Sequence, residues 1–323
     1  MNTEQIEILK QRVLDGGHIT LEEAQALSET SEKEALYAAA DAIRARFSGR
    51  VVDMCSIINA KSGRCSEDCK WCSQSRHFKT GVQEYPLISA EEGIKAAQEN
   101  ARHGVKHFSL VTSGRALKPK QIDEACKIFE AIGKETPIKL CASMGLLRTP
   151  ELQKLKDAGV GRYHCNIETA ASHFPSLCTT HTFEEKQRTI REAQALGMKI
   201  CSGGIFGMGE TMAQRIEMAF SLREMNIDSI PINVLNPIEG TPMQGSLPLS
   251  DDEILVTIAL FRFINPTAHL RFAGGRSLIF HIQEKALAAG VSAALVGDYL
   301  TTLGAGVEKD KELFRKLGRA EEA

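Results

Sequence analysis

No stretch of this 323-residue chain approaches the roughly 18 consecutive apolar residues of a membrane span, so no membrane partner is expected. Neither charge sign dominates. Lys and Arg number 39 against 41 Asp and Glu, a net charge of −2, so there is no basic surface for nucleic acid. The first residues, MNTEQIEILKQRVLDGG, form a charged helical pattern rather than a secretory leader, and the expected location is cytoplasmic. Nine cysteines are too sparse for a disulfide scaffold in a chain of this size; in a reducing compartment clustered thiols point to metal or redox chemistry. There is no low-complexity linker, no charge block and no repeat beyond an alternation of strand and helix patterns. With 43% apolar and 25% charged residues, the chain reads as a soluble globular protein that handles small molecules.

Residues 3 to 48 read as helices, with apolar Ile6, Ile8, Leu9 and Val13 in the first and a capping box, Thr20 three before Glu23, opening the second. From Val51 onward, short apolar or β-branched runs alternate with helical patterns, several of which end in Gly. The runs are VVDMCSII, HFSLVTS, IKLCASMG, RYHCNIE, MKICSGGIFG, SIPINVL, HLRFAG and AALVGD. About eight parallel strand and helix units predict an α/β fold, a (β/α)8 barrel of the TIM type. A helical extension over 1–49 would precede a barrel over 50–323 that includes the C-terminal tail. In such a barrel the reactive groups sit at the C-terminal ends of the strands and in the loops behind them.

One of those loops, GRCSEDCKWCSQS at 63–75, carries Cys65, Cys69 and Cys72 just after the first strand. Three thiolates on one short loop are enough to hold three corners of an iron–sulfur cubane and would leave the fourth iron open for chemistry. The bland alternative is structural zinc, which wants four protein ligands and would have to recruit Cys55 or His77 at irregular spacing. Inert thiols are disfavoured, because Ser66, Glu67, Asp68 and Lys70 make the loop too polar for a core.

The triplet, with Trp71 directly before its last cysteine, resembles the radical S-adenosylmethionine (SAM) family. YHCNIETA (163–170), CSGGIFGMGET (201–211), IPINVLNPIEGTPM (230–243) and LRFAGGR (270–276) are similar, in order, to the biotin synthase branch over roughly residues 50 to 305. The resemblance implies a [4Fe-4S] cluster on the triplet, chelated at its open iron by SAM, with Trp71 near the adenine. It implies Thr112 and Ser113 at the SAM amino group, Lys186 at the SAM carboxylate, Glu168 at the ribose, and Asn166 at SAM or substrate. Asn233 would meet the ureido ring of the substrate, dethiobiotin. The glycines around Gly204 leave a strand end without side chains, where a flat ligand could approach. The implied partners are a reducing electron donor such as flavodoxin or ferredoxin and a second copy of the chain in a homodimer. The chemistry implied is cleavage of SAM to a 5′-deoxyadenosyl radical, then sulfur insertion.

The family's sulfur comes from an auxiliary cluster, a [2Fe-2S] centre on three cysteines and an arginine. Cys141, Cys201 and Arg271 match three of its ligands, and Ser109 stands where the remaining cysteine belongs. An alkoxide is a harder and poorer ligand for iron than a thiolate, so altered ligation is expected, with Cys178 or Cys165 as substitutes. Cys126 reads as core on a helix face, and Cys55 as buried and unreactive. Two other readings stay open: a radical SAM relative of the hydrogenase-maturase type that lacks sulfur insertion, favoured by Ser109, and a non-catalytic iron–sulfur or zinc module.

Overall fold

A computed structural model describes residues 1–297 and 306–321. Three helices come first: α1 (Thr3–Leu14), α2 (Leu21–Ser28) and α3 (Lys33–Ser48). The box at the start of α2 forms as expected, with the Glu23 amide donating to Thr20 Oγ1 at 3.2 Å and the Thr20 amide to the Glu23 carboxylate at 2.9 Å. These helices pack on the outer layer of the barrel rather than standing apart, α3 along a later helix, α9 (Asp251–Ile264). Every residue of α9 from Ile254 on is buried, because α3 covers the face that other barrel helices show to water.

The barrel runs β1 (Val51–Lys61), α4 (Ala90–Arg102), β2 (His107–Thr112), α5 (Pro119–Glu135), β3 (Lys139–Ser143), α6 (Thr149–Asp157), β4 (Val160–His164), α7 (Phe183–Ala195) and β5 (Lys199–Cys201). It continues with β6 (Gly204–Phe206), α8 (Met212–Glu224), β7 (Ser229–Val234), α9, β8 (His269–Phe272), α10 (Gln283–Ala288) and β9 (Ala293–Leu295). All pairings are parallel, in the order β1-β2-β3-β4-β5-β7-β8-β9, and β9 returns to β1 through Asp53↔Ala293 and Cys55↔Leu295. The closed eight-stranded barrel matches the expected fold, with β5 and β6 serving as one broken strand. After the barrel, α11 (Val307–Lys316) leads to β10 (Ala320–Glu321), which pairs with the start of β1. A buried ion pair, Arg276 to Asp310 at 2.6 Å, ties α11 to the segment behind β8. No helix among the described residues is long and apolar enough to cross a membrane.

Two runs differ from their expected form. MKICSGGIFG breaks between Cys201 and Gly204, where glycine is required: a Cβ at Gly203 would lie 2.1 Å from the Pro231 carbonyl oxygen, and one at Gly204 2.2 Å from that of Glu168. RYHCNIE stops pairing as a strand at His164, and Glu168 takes a left-handed φ of 71°, so strict alternation ends there. Asp298, the last residue of AALVGD, lies outside the described residues.

Candidate active site

The strands converge on a cavity of about 450 Å³ at their C-terminal ends, within the range of small-molecule sites. Period-two alternation aims Cys55 and Ile57 of β1, Ser109 and Val111 of β2, and Cys141 and Ser143 of β3 into it.

Cys65, Cys69 and Cys72 line its mouth. Their loop is fixed through its backbone: Cys65 N donates to Gln74 O at 2.9 Å, Arg76 N to Cys65 O at 2.8 Å, and Cys72 N to Cys69 O at 3.0 Å. Ser113 Oγ adds a bond to Gly63 O at 2.7 Å. The loop's fold therefore does not depend on the thiols. The zinc alternative finds no fourth ligand in its two candidates. His77 Nε2 sits 2.9 Å from Ser66 O, and the charged neighbours of Cys55 are Arg271, Asp53 and Arg162 instead of this loop.

Cys178 is corrected by the structure. Its Sγ lies 3.7 Å from Cys69 Sγ and 3.3 Å from His181 Nδ1, and it does not line the cavity, so it stands behind the triplet and away from Cys141 and Cys201. Sharing a proton with Cys69 holds the Cys178 thiol down, to about 4. His181, a residue the sequence singles out by no spacing, completes a Cys69, Cys178 and His181 group; its Nδ1 is also 2.7 Å from Glu67 Oε2. Cys165, the other proposed substitute, lines the cavity beside Lys186 and Glu168 and also packs on the hydrophobic core.

Trp71 joins Leu177, Met208, Leu235 and Ile205 in a small apolar patch at the mouth. Gly204 is a second correction. It does not line the cavity, and its lack of a side chain serves the close approach of the Glu168 carbonyl described above rather than an open face for a ligand. The polar residues of this wall are largely engaged. Asn166 Oδ1 accepts from Gly203 N at 3.0 Å and lies 2.8 Å from His164 Nε2. Asn233 clamps two strand ends, donating to Gly204 O at 2.8 Å and accepting from Gly274 N at 2.8 Å, which leaves its carboxamide one N–H and one lone pair. The Ser113 carbonyl receives Lys61 Nζ at 3.3 Å.

Three cavity-lining oxygens remain open, Ser109 Oγ on β2 among them. Thr112 Oγ1 and Glu168 Oε2 are buried without a hydrogen-bond partner among the described residues. Burial pushes the Glu168 carboxyl up, and Lys186 opposes that from 3.7 Å. Lys186 is buried and faces the cavity, with its ammonium 5.9 Å from the Phe174 ring centre, so it does not sit on a solvated helix face.

At the floor, Cys141, Cys201 and Arg271 converge as their motifs imply, and Cys55 joins them. Burial pushes the Cys55 thiol up to about 11 and that of Cys141 up to about 12, while Arg271 and Arg162 pull the other way. Arg271 donates to Asp53 Oδ2 at 2.6 Å, Asp53 O at 3.0 Å, Ala294 O at 3.1 Å and Ser229 Oγ at 3.2 Å. Asp53 also meets His107 at 3.1 Å and Arg162 at 3.7 Å. Sequence reasoning missed Asp53, His107 and Arg162; the signal available was alternation along VVDMCSII, which puts Asp53 on the same face as Cys55.

A closed parallel barrel with an open thiol triplet after its first strand is the architecture of a radical SAM enzyme, and residues 60–222 match the Radical SAM superfamily. Residues 231–320 match the Biotin and Thiamin Synthesis associated domain. The chain is 52% identical over 314 residues to the biotin synthase of Parabacteroides distasonis, which covers 97% of this chain and 96% of that one. It is 49% identical over 312 residues to that of Acetivibrio thermocellus, covering 96% and 98%. The chain belongs to the biotin synthase family. Among solved structures, methylornithine synthase aligns at a TM-score of 0.83 and 19% identity over 98% of this chain and 97% of that one. The FeFe-hydrogenase maturase of Carboxydothermus hydrogenoformans aligns at 0.83 and 17% over 99% and 79%. These two show the fold alone, so the maturase reading gains nothing against near-full-length identity of about half.

Proposed function

We propose that the chain converts dethiobiotin to biotin by radical SAM chemistry, with Cys65, Cys69 and Cys72 holding the [4Fe-4S] cluster and an auxiliary iron–sulfur site at the barrel floor supplying sulfur. The observation that carries this reading is one cavity with thiols at both ends: the triplet at the mouth, and Cys141 and Cys201 beside Arg271 at the floor. Substrate bound between them would be reached from one side by hydrogen abstraction and from the other by sulfur. When bound, the cluster and SAM supply a one-electron cleavage that yields a radical able to take hydrogen from unactivated carbon.

The protein's own groups bind and orient. Trp71 and its apolar neighbours offer a face for adenine. The unpartnered Glu168 Oε2 is an acceptor placed for ribose hydroxyls, and Thr112 Oγ1 a second polar contact. Lys186 supplies a buried cation for the SAM carboxylate, and Asn166 and Asn233 present their remaining donors and lone pairs to SAM and substrate. Barrel walls around the cavity enclose the radical and keep it from hydrogens other than those of the bound substrate. The reducing partner is a flavodoxin or ferredoxin, the chain works as a homodimer, and its compartment is the cytoplasm.

The test is 5′-deoxyadenosine release during anaerobic incubation with SAM, dethiobiotin and reductant. Wild-type protein should release it, and none from protein with an intact cluster contradicts the reading. Lys186→Met should raise the KM for SAM by about 10- to 150-fold, the value of a lost charge-assisted bond of about 1.5–3 kcal/mol, while Lys186→Arg retains most of the affinity. An unchanged KM in Lys186→Met removes Lys186 from the SAM site.

A further inference from the structure

We propose that Cys55 is the third thiol ligand of the auxiliary iron–sulfur site in this chain, completing a set with Cys141 and Cys201 in place of Ser109. The inference rests on the proposed function, because it assumes that an auxiliary cluster binds at the barrel floor.

Ser109 fits the role poorly. Its hydroxyl faces the cavity, buried and with no hydrogen-bond partner among the described residues, and a hydroxyl is a hard donor where iron in a sulfide cluster favours thiolate. The thiol missing from β2 is present on β1. Cys55 pairs across to His107, two residues before Ser109, so both point inward on adjacent strands, offset by one inward step. The exchange moves a thiol by one strand and leaves it on the same cavity wall.

The other free thiols are excluded by where they pack. Cys178 does not line the cavity and is held by Cys69 and His181, and Cys165 lines it beside Lys186 and Glu168, whereas Cys55, Cys141 and Cys201 face one another. Electrostatic influence groups them the same way. Cys141 feels Cys55 and Cys201, and Cys55 feels Cys201, while the neighbours of Cys165 are Lys186 and Glu168 and those of Cys178 are Cys69 and His181. Two guanidiniums, Arg271 and Arg162, face the three thiols, with Asp53 as their one carboxylate partner among the described residues. That surplus of positive charge suits an anionic thiolate cluster. Four of the five N–H donors of Arg271 are already held by Asp53, Ala294 and Ser229, which fixes it in place as a cation beside the site.

The experiment uses full-length protein with Cys65, Cys69 and Cys72 changed to Ala, reconstituted anaerobically with ferrous iron and sulfide, and read by iron and sulfide counts and by Mössbauer and visible absorption spectra. Residual cluster is expected in this background. It should also persist when Ser109→Ala, Cys165→Ala or Cys178→Ala is added. Adding Cys55→Ala or Cys55→Ser should weaken iron retention by at least about tenfold, the loss typical even of removing a group behind a ligand. Circular dichroism confirms that each variant folds. A second readout needs no Cys55 variant: iodoacetamide should label Cys55 in the apo triplet protein and spare it after reconstitution, as scored by mass spectrometry. Cluster retained by both Cys55 variants, or Cys55 labelled equally with and without cluster, overturns the assignment and leaves the auxiliary site standing. No residual cluster in the triplet background overturns the auxiliary site itself.

Discussion

Replacing Cys65, Cys69 and Cys72 together by Ala is expected to bring deoxyadenosine and biotin formation to background, a loss of at least about 10⁶-fold, since enzymes rarely accelerate by less and the chemistry here belongs to the cofactor. The fold should survive. The loop is held by backbone bonds such as Cys65 N to Gln74 O and by Ser113 on Gly63, none of which uses a thiol. Unchanged far-ultraviolet circular dichroism with no SAM cleavage is the predicted pair of results. Deoxyadenosine from the triple variant would place the catalytic cluster elsewhere.

The second large effect is at Asp53. Asp53→Ala strips the carboxylate from Arg271 and Arg162 inside the barrel and should destabilise the apo-protein by about 3–5 kcal/mol, the cost of leaving a buried charge uncompensated. Urea denaturation under anaerobic conditions measures it, and a loss below about 1 kcal/mol, as for a surface pair, would contradict the buried network described above. Asp53→Asn keeps the shape and should recover part of the loss. The pH dependence has a definite sign. Burial alone would push the Asp53 carboxyl up, but Arg271, His107 at 3.1 Å and Arg162 outweigh it and hold it far below the carboxylate range. A carboxyl lowered on folding contributes its full stability above the unfolded value of about 3.9 and loses it progressively as pH falls from there through the folded value. Across neutral pH the contribution should therefore be flat.

The barrel was legible because burial imposes two periods that show in the residues, such as the inward alternation Ser109 and Val111 on β2 and the 3.6-residue spacing of Ile122, Phe129 and Ile132 on α5. The triplet was legible because all three of its residues lie on one loop. The barrel floor was harder to read because its members come from β1, β3, β5 and β8, and only closure of the sheet brings them together. Cys55 reads as filler on a single apolar run; its partners become visible when β9 returns to β1. The break at Gly203 and the left-handed Glu168 escape for a different reason: both are set by tertiary clearances to Pro231 and between neighbouring strands, which no local pattern encodes. Lys186 is the opposite case. Its helix is strongly amphipathic, yet one cation turns inward to meet Glu168, a departure that the site explains and propensity does not.

The most direct test of the account is anaerobic incubation of the reconstituted protein with dethiobiotin, SAM and a low-potential reductant, scored for biotin and deoxyadenosine together. Biotin appearing with deoxyadenosine is the predicted result; deoxyadenosine without biotin, from protein whose auxiliary iron is intact, would contradict it.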